Sequence, residues 1–188
     1  MKKIIFVALS AFLLCGCVSV SPYVLTKTQT ILNLSNNRAV ALFTLKVMNP
    51  GGSRFLLSSF TVREANQYKP YNTLGYFSIP LTEENYSVPD DLYFCTVVLN
   101  RGIYRMDAFN GMTNSFFAVP YALKSDKIFD MYPGTINYMG RFDFGNLDTK
   151  VTSTPLKGVE DAYVQDVEKF RSIFPVLKDK KIGRDSFY

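Results

Sequence analysis

Period-two apolar segments separated by proline, glycine and asparagine turns fill the middle of this sequence. A single apolar stripe spaced by four, four, three and four residues follows them. The two patterns predict a mainly β protein, an antiparallel β-sandwich with one C-terminal amphipathic helix. Composition agrees, because 188 residues at 47% hydrophobic and 20% charged content suffice for one cored domain and are too apolar for a disordered chain.

The first strand begins at Val40. Phe43, Leu45 and Val47 alternate with Thr44, Lys46 and Met48, which describes a half-buried strand ended by the turn Asn49-Pro50-Gly51-Gly52. Phe60 and Val62 alternate with Thr61 and Arg63 in the next. From Asn66 to Asp91 the chain is polar and tyrosine-rich with Pro70, Pro80 and Pro89, and a long connection is expected there, with one short strand at Leu74 to Ile79. Tyr93, Cys95, Val97 and Leu99 then oppose Phe94 and Val98, so both faces of this strand are apolar and both should be covered.

Asn100-Arg101-Gly102 turns the chain. Tyr104, Met106 and Ala108 alternate with Arg105 and Asp107 up to Asn110-Gly111, a type I′ hairpin signal whose return strand is expected at Ser115 to Val119. Ile128 to Met131 leads to the turn Pro133-Gly134. Beyond it Ile136, Tyr138, Gly140, Phe142 and Phe144 are expected on one face, with Asn137, Met139, Arg141 and Asp143 on the other. The stripe Val159, Tyr163, Val167, Phe170 and Phe174 then draws a helix that Pro175 ends, with Glu160 and Asp161 near its start and Lys169 and Arg171 near its end to suit the helix dipole. Such a helix is expected to lie across the open face or edge of the sandwich. A membrane β-barrel is rejected despite the terminal Phe187-Tyr188, because Lys180 to Tyr188 does not alternate and the last long element is helical.

The N-terminus has a different origin. Lys2 and Lys3 precede an eleven-residue apolar stretch, Ile4 to Leu14, which has the length and flanks of a signal-peptide core. It is too short for a transmembrane anchor, which needs about 20 apolar residues. Leu14-Cys15-Gly16-Cys17 follows and resembles the lipobox of bacterial lipoproteins. The resemblance implies Cys17 as the lipid acceptor; Cys15 fits less well, since Leu14 would stand where a small residue is needed. Ordinary secretory cleavage, leaving Cys17 a free thiol, is the alternative. Several acyl chains give stable anchorage where one does not. Val18 and Ser19 follow in place of the aspartate that retains enteric-type lipoproteins in the inner membrane, which implies an outer-membrane protein facing the periplasm.

The expected organisation is therefore a signal peptide at 1–16, a lipidated N-terminus and tether at 17–37, a β-sandwich domain with its helix at 38–176 and a polar tail at 177–188. Removing the signal takes Lys2 and Lys3, so 21 basic residues fall to 19 against 16 acidic ones and the excess falls from +5 to +3. No nucleic-acid partner is expected. Cys95 is left as the one free thiol, a buried small hydrophobe by its position in an apolar run, and no intrachain disulfide can form.

A second resemblance rests on Arg101-Gly102-Ile103-Tyr104, the hairpin after it, Pro133-Gly134-Thr135-Ile136-Asn137-Tyr138-Met139-Gly140 and the helix ending in Phe174-Pro175. This succession, over roughly residues 92 to 176, resembles bacterial lipoproteins with a carboxypeptidase-regulatory-like or transthyretin-like sandwich. The implied architecture is immunoglobulin- or transthyretin-like, and the resemblance implies no activity.

The chain contains no histidine and no tryptophan, which excludes histidine-based triads, Cys-His dyads and histidine-containing zinc sites. No nucleophile elbow, P-loop, dinucleotide motif, calcium loop or Cys-x-x-Cys pair is present, so no catalytic residue, metal or cofactor is expected. Two carboxylates brought together only in space remain an alternative, that of a cell-wall or glycan hydrolase. Asp90-Asp91 reads as a solvated turn, and Asp107 and Asp143 as surface positions. Tyr68, Tyr71, Tyr76 and Tyr86 are the binding candidates, with Asn66, Gln67, Asn72 and Asn85 nearby to help hold a sugar or a protein partner; the other reading is that their rings pack down over the sandwich. Without tryptophan the sugar is the weaker choice. The function expected is a non-enzymatic binding or accessory module on the envelope, tethered to the membrane by lipid and offered to an envelope protein. A subunit of a secretion or surface-appendage complex is a further alternative.

Overall fold

The computed structural model describes residues 21–34, 37–48, 55–66, 69–88, 91–113, 118–148 and 150–185, without the side chains of 66, 69–74 and 87. The lipidation candidate Cys17 and the binding candidate Tyr68 lie outside the described residues, as does Asp90. In chain order the strands are β1 (Arg38–Met48), β2 (Leu56–Asn66), β3 (Lys69–Pro80), β4 (Tyr86–Ser87), β5 (Leu92–Asn100), β6 (Gly102–Thr113), β7 (Val119–Lys124), β8 (Ile128–Met131), β9 (Ile136–Asn146), β10 (Ser153–Pro155) and β11 (Gly158–Glu160). Helix α1 (Tyr163–Ile173), a 3-10 turn at Pro175–Leu177 and β12 (Gly183–Arg184) complete the described chain.

The protein is mainly β, in two six-stranded sheets. The first has the order β11-β9-β1-β5-β4 with β12 also on β9, and the second has the order β10-β7-β6-β2-β3 with β8 on β6. The expectation of antiparallel sheets is corrected, because β1 pairs β9 in parallel, β12 pairs β9 in parallel and β10 pairs β7 in parallel. After β1 the chain crosses to the second sheet, returns for β4 and β5, crosses again for β6 to β8 and comes back as β9. Alternation within a strand carries no information about the direction of a neighbour delivered by such crossings.

Alternation does set the core. Ala39, Ala41, Phe43, Leu45 and Val47 of β1 face the second sheet; Phe43 meets Phe60 and Phe109 there at 5.4 Å, and Phe142 of the neighbouring β9 at 6.1 Å. Ring contacts of this kind add about 0.5–1.5 kcal/mol each beyond burial. Cys95 belongs to this core, and burial pushes its thiol well up from the ordinary value. The strand β1 is buried on both sides, where half-burial was expected. Val40 and Leu42 on its other face pack under α1 with Phe94, Val98, Ile136 and Tyr138, and the helix contributes Val167, Phe170 and Phe174 to this second apolar layer. The helix therefore seals the outer face of the first sheet, as expected of the stripe, but it begins at Tyr163; Val159 and Glu160 belong to β11, paired with Phe142 and Arg141 of β9.

Three further expectations are revised by pairing. The predicted long connection holds β3, a twelve-residue strand antiparallel to β2 at the edge of the second sheet. An edge strand needs a partner on one side only, so Pro70 and Pro80 are tolerated there. Asn110-Gly111 is no turn: it lies inside β6, paired with both β2 and β7, and the chain reverses after Thr113. Gly111 serves close approach, because a Cβ there would lie 2.3 Å from the Leu56 carbonyl oxygen and 2.6 Å from the Phe55 ring. In β9 the pairs Leu42↔Tyr138 and Thr44↔Arg141 leave an extra residue at a bulge, with Gly140 at φ 109°. Ile136 and Tyr138 consequently face the helix, while Met139, Phe142 and Phe144 face the inter-sheet core.

Both flanking segments are docked. Within the expected tether, Tyr23 bridges Val98 of β5, Leu25 is fully buried, its N–H donates to Thr96 Oγ1 at 2.9 Å, and the Lys27 N–H donates to the Glu84 carbonyl. Within the expected polar tail, Ile182 is buried, β12 pairs β9, and Tyr163 donates its hydroxyl to the Ile182 carbonyl at 2.6 Å. Lys180, Lys181 and Arg184 flank Ile182 in the sequence, and that polarity hides a segment held by backbone pairing and two apolar anchors, Leu177 and Ile182.

Candidate functional site on the open sheet face

The tyrosine candidates separate. Tyr86 is 9% exposed in β4, its ring 6.1 Å from that of Tyr93, so it packs into the sandwich rather than lining a site. Tyr71 is on β3 with its side chain outside the described set. Tyr76 is 62% exposed on the same strand and stands directly across from Arg63 of β2, whose guanidinium lies 5.5 Å from the ring centroid. Of the candidates with described side chains, Tyr76 and Tyr86 are therefore not in one cluster, and Tyr76 joins charged residues that tyrosine spacing did not point to.

Those residues form an ion triad on the outer face of the second sheet. Arg63 is directly opposite Arg105 of β6. Two like charges facing one another across strands repel, and a bulge answers the problem. Thr61 pairs with Ala108 and Val62 with Met106, so Asp107 is the extra residue on β6 and its side chain shares the outer face with both arginines. Arg105 Nε donates to Asp107 Oδ1 at 3.0 Å, and Arg63 Nε donates to Asp107 Oδ2. Among the described residues the terminal Nη groups of both arginines have no protein acceptor. Asp107 is thus less free than the surface position expected of it, being 16% exposed and engaged on both oxygens.

Further along the same face, Asn110 Nδ2 donates to Thr61 Oγ1 at 3.1 Å. Beyond it the face becomes apolar. Leu56 and Met112, a directly opposed pair, are exposed together with Val119, and a shallow groove of about 590 Å³ runs between Ser58, Met112, Pro120, Ala122 and Thr152. Polar anchor and apolar groove thus occupy one surface that stays uncovered among the described residues.

A second charged cluster lies under the helix. Asp166 of α1 is 1% exposed, accepts from the Tyr138 hydroxyl at 2.5 Å and is paired with the Arg141 guanidinium. Arg141 reaches Glu160 at 3.9 Å; Lys46 Nζ lies 2.9 Å from Glu160 and 3.4 Å from Asp143. Burial, together with the hydrogen bond to Asp166, pushes the Tyr138 phenol well up, and the bond to Asp166 raises the Arg141 guanidinium. Both thereby keep their protons. This ladder ties helix, β11 and β1 to β9, and each of its carboxylates is engaged by a cation. Among the described residues no group of three or more Cys, Asp or Glu side chains is placed to hold a metal ion.

Asp107, Arg63 and Arg105 were visible in the sequence only as outward strand positions. The spacing of Arg105 and Asp107 on one face is the local signal for their pair, whereas the approach of Arg63 depends on strand register. No protein-family model matches this chain, and no curated relative matches it. Among solved structures, a crystal structure of a leucine-rich repeat protein from Bacteroides thetaiotaomicron VPI-5482 is similar over 74% of this chain and 16% of its own, at 12% identity and a TM-score of 0.30. The chain spans only that 16% of the repeat protein, and likeness of this degree transfers neither fold nor function.

Proposed function

We propose that this chain is a lipid-anchored envelope protein, carried on Cys17 at the outer membrane and facing the periplasm, whose β-sandwich acts as a non-enzymatic binding or accessory module. The observation that supports it is an asymmetry: α1 and the C-terminal segment seal one outer face, while the other, among the described residues, stays open around an ordered arginine pair and an exposed tyrosine. The finer assignment of the sandwich to an immunoglobulin- or transthyretin-like architecture belongs to the same proposal, with parallel pairings added. The lipobox resemblance of Leu14 to Cys17 supports the anchor. No helix among the described residues is long and apolar enough to cross a membrane.

Docking of Tyr23 on β5 shortens the leash. From a lipidated Cys17 to Tyr23 the chain can reach at most about 20 Å, so the edge of the first sheet stays close to the headgroups and the second sheet's outer face is left for a partner. Radiolabelled palmitate is expected on the wild-type protein and not on Cys17→Ser; equal labelling of the two removes the anchor. A photo-crosslinker at Tyr76 is expected to capture an envelope protein in intact cells that one at Glu168, exposed on α1, does not; identical capture from both positions removes the open face as the recognition surface.

A further inference from the structure

We propose that Arg63 and Arg105, held by Asp107, form a carboxylate-binding fork, and that the open face receives an extended acidic segment of a partner polypeptide. The proposal deepens the binding-module reading above and rests on it. Four features carry it. First, the fork is built: a bulge in β6 aims Asp107 at both arginines, which spends the Nε of each and leaves their Nη groups without a protein acceptor among the described residues. A guanidinium held in this way presents the planar donors that match a carboxylate in bidentate fashion, with less ordering left to do on binding.

Second, the charge is incomplete, since two guanidiniums face one carboxylate and a net positive charge remains. Third, stability does not explain the triad. Ion pairs whose arginines are this exposed add little to stability, too little to account for a bulge that interrupts the central pairing of the sheet. Fourth, the apolar groove at Met112 and Val119 continues the same face. From Arg105 to Met112 β6 runs about 20 Å, the length of six or so extended residues. A polypeptide can place an acidic side chain on the fork and an apolar one in the groove. A hydroxyl-covered acidic sugar matches the fork but gains nothing from Leu56, Met112 and Val119, and arginine, tyrosine and methionine are the residues enriched at protein interfaces.

The test uses the full chain, purified in a non-ionic detergent and immobilised. Three polymers are compared: a glutamate–tyrosine copolymer, polygalacturonate of similar charge density, and neutral dextran. The copolymer is expected to bind at least tenfold more tightly than polygalacturonate, and dextran is expected not to bind. The double variant R63Q/R105Q is expected to weaken copolymer binding at least tenfold, and Met112→Ser to weaken it severalfold. The variant K169Q/K178Q, which removes the same charge from exposed lysines elsewhere, is expected to change it less than twofold. Near-UV circular dichroism unchanged from the wild type establishes that each variant is folded. Equal loss in the charge control, or none in R63Q/R105Q, overturns the fork. Polygalacturonate binding as tightly as the copolymer overturns the polypeptide as occupant. Palmitate labelling and in-cell crosslinking are independent of these results, so a failed fork and a failed binding-module reading are told apart.

Discussion

Each sheet carries an ion cluster on its outer face, and the clusters differ in what lies over them. On the first sheet α1 covers Asp166 until 1% of it is exposed, and the acid is met by Tyr138 and Arg141. On the second sheet Asp107 meets two arginines with no helix above them among the described residues. Similar side chains therefore have different consequences. A buried charge must be matched or the fold loses several kcal/mol, whereas a pair whose arginines stay 38% exposed adds little to stability and keeps arginine donors available for another molecule. The sealed face is a fastening for the helix, and the open face is where recognition is proposed.

The largest expected effect breaks the sealed face. Phe170→Ala removes the ring that meets Phe94 at 5.2 Å and Tyr138 at 6.3 Å, and urea unfolding should show a loss of about 3–5 kcal/mol. Asp166→Ala leaves Arg141 without its buried partner and is expected to cost about 3 kcal/mol or somewhat more in the same assay. Gly111→Ala, beneath the open face, drives a Cβ against the Leu56 carbonyl and should cost about 1–3 kcal/mol.

Alkali sharpens the contrast. The folded protein raises the Tyr138 phenol above its ordinary value of 10.0, so the stability from this group is fully present below about pH 10 and is lost as the pH rises further towards the raised value. Urea midpoints measured between pH 9 and 11.5 should fall more steeply for the wild type than for Tyr138→Phe. On the open face, Arg63→Gln is expected to change stability by less than about 1 kcal/mol and Tyr76→Ala by about 0.5 kcal/mol or less. A loss at Arg63 as large as that at Asp166 would erase the distinction between the two faces.

Strands with a strong period were legible where burial and alternation agree. Tyr93 to Leu99 are covered on both faces as their composition demanded, and the stripe from Tyr163 to Phe174 packs on the sheet. Local chemistry misled where pairing overrode it. Asn110-Gly111 has the residues of a tight turn, yet β2 and β7 hold it straight on both sides. Pro70 and Pro80 signal a loop, yet an edge position accepts them. In β9 the sequence alternates without a break through Gly140, where the bulge exchanges the faces. The candidate site shows the same limit. Tyr76 was named for its ring, while its neighbours Arg63 and Arg105 come from strands separated by about forty residues and meet through register alone.

The sequence by itself determined that this is a mainly β protein with a late helix, that Cys95 is interior, and that histidine chemistry is absent, because composition and side-chain period are properties of the chain. It also carries the lipobox resemblance on which the proposed anchor rests. The tertiary structure alone decided which strands run parallel, which outer face is sealed, and that Asp107 lies between two arginines. Each of those depends on how distant strands are brought side by side, and a single extra residue in one ladder is enough to turn a side chain from one face to the other.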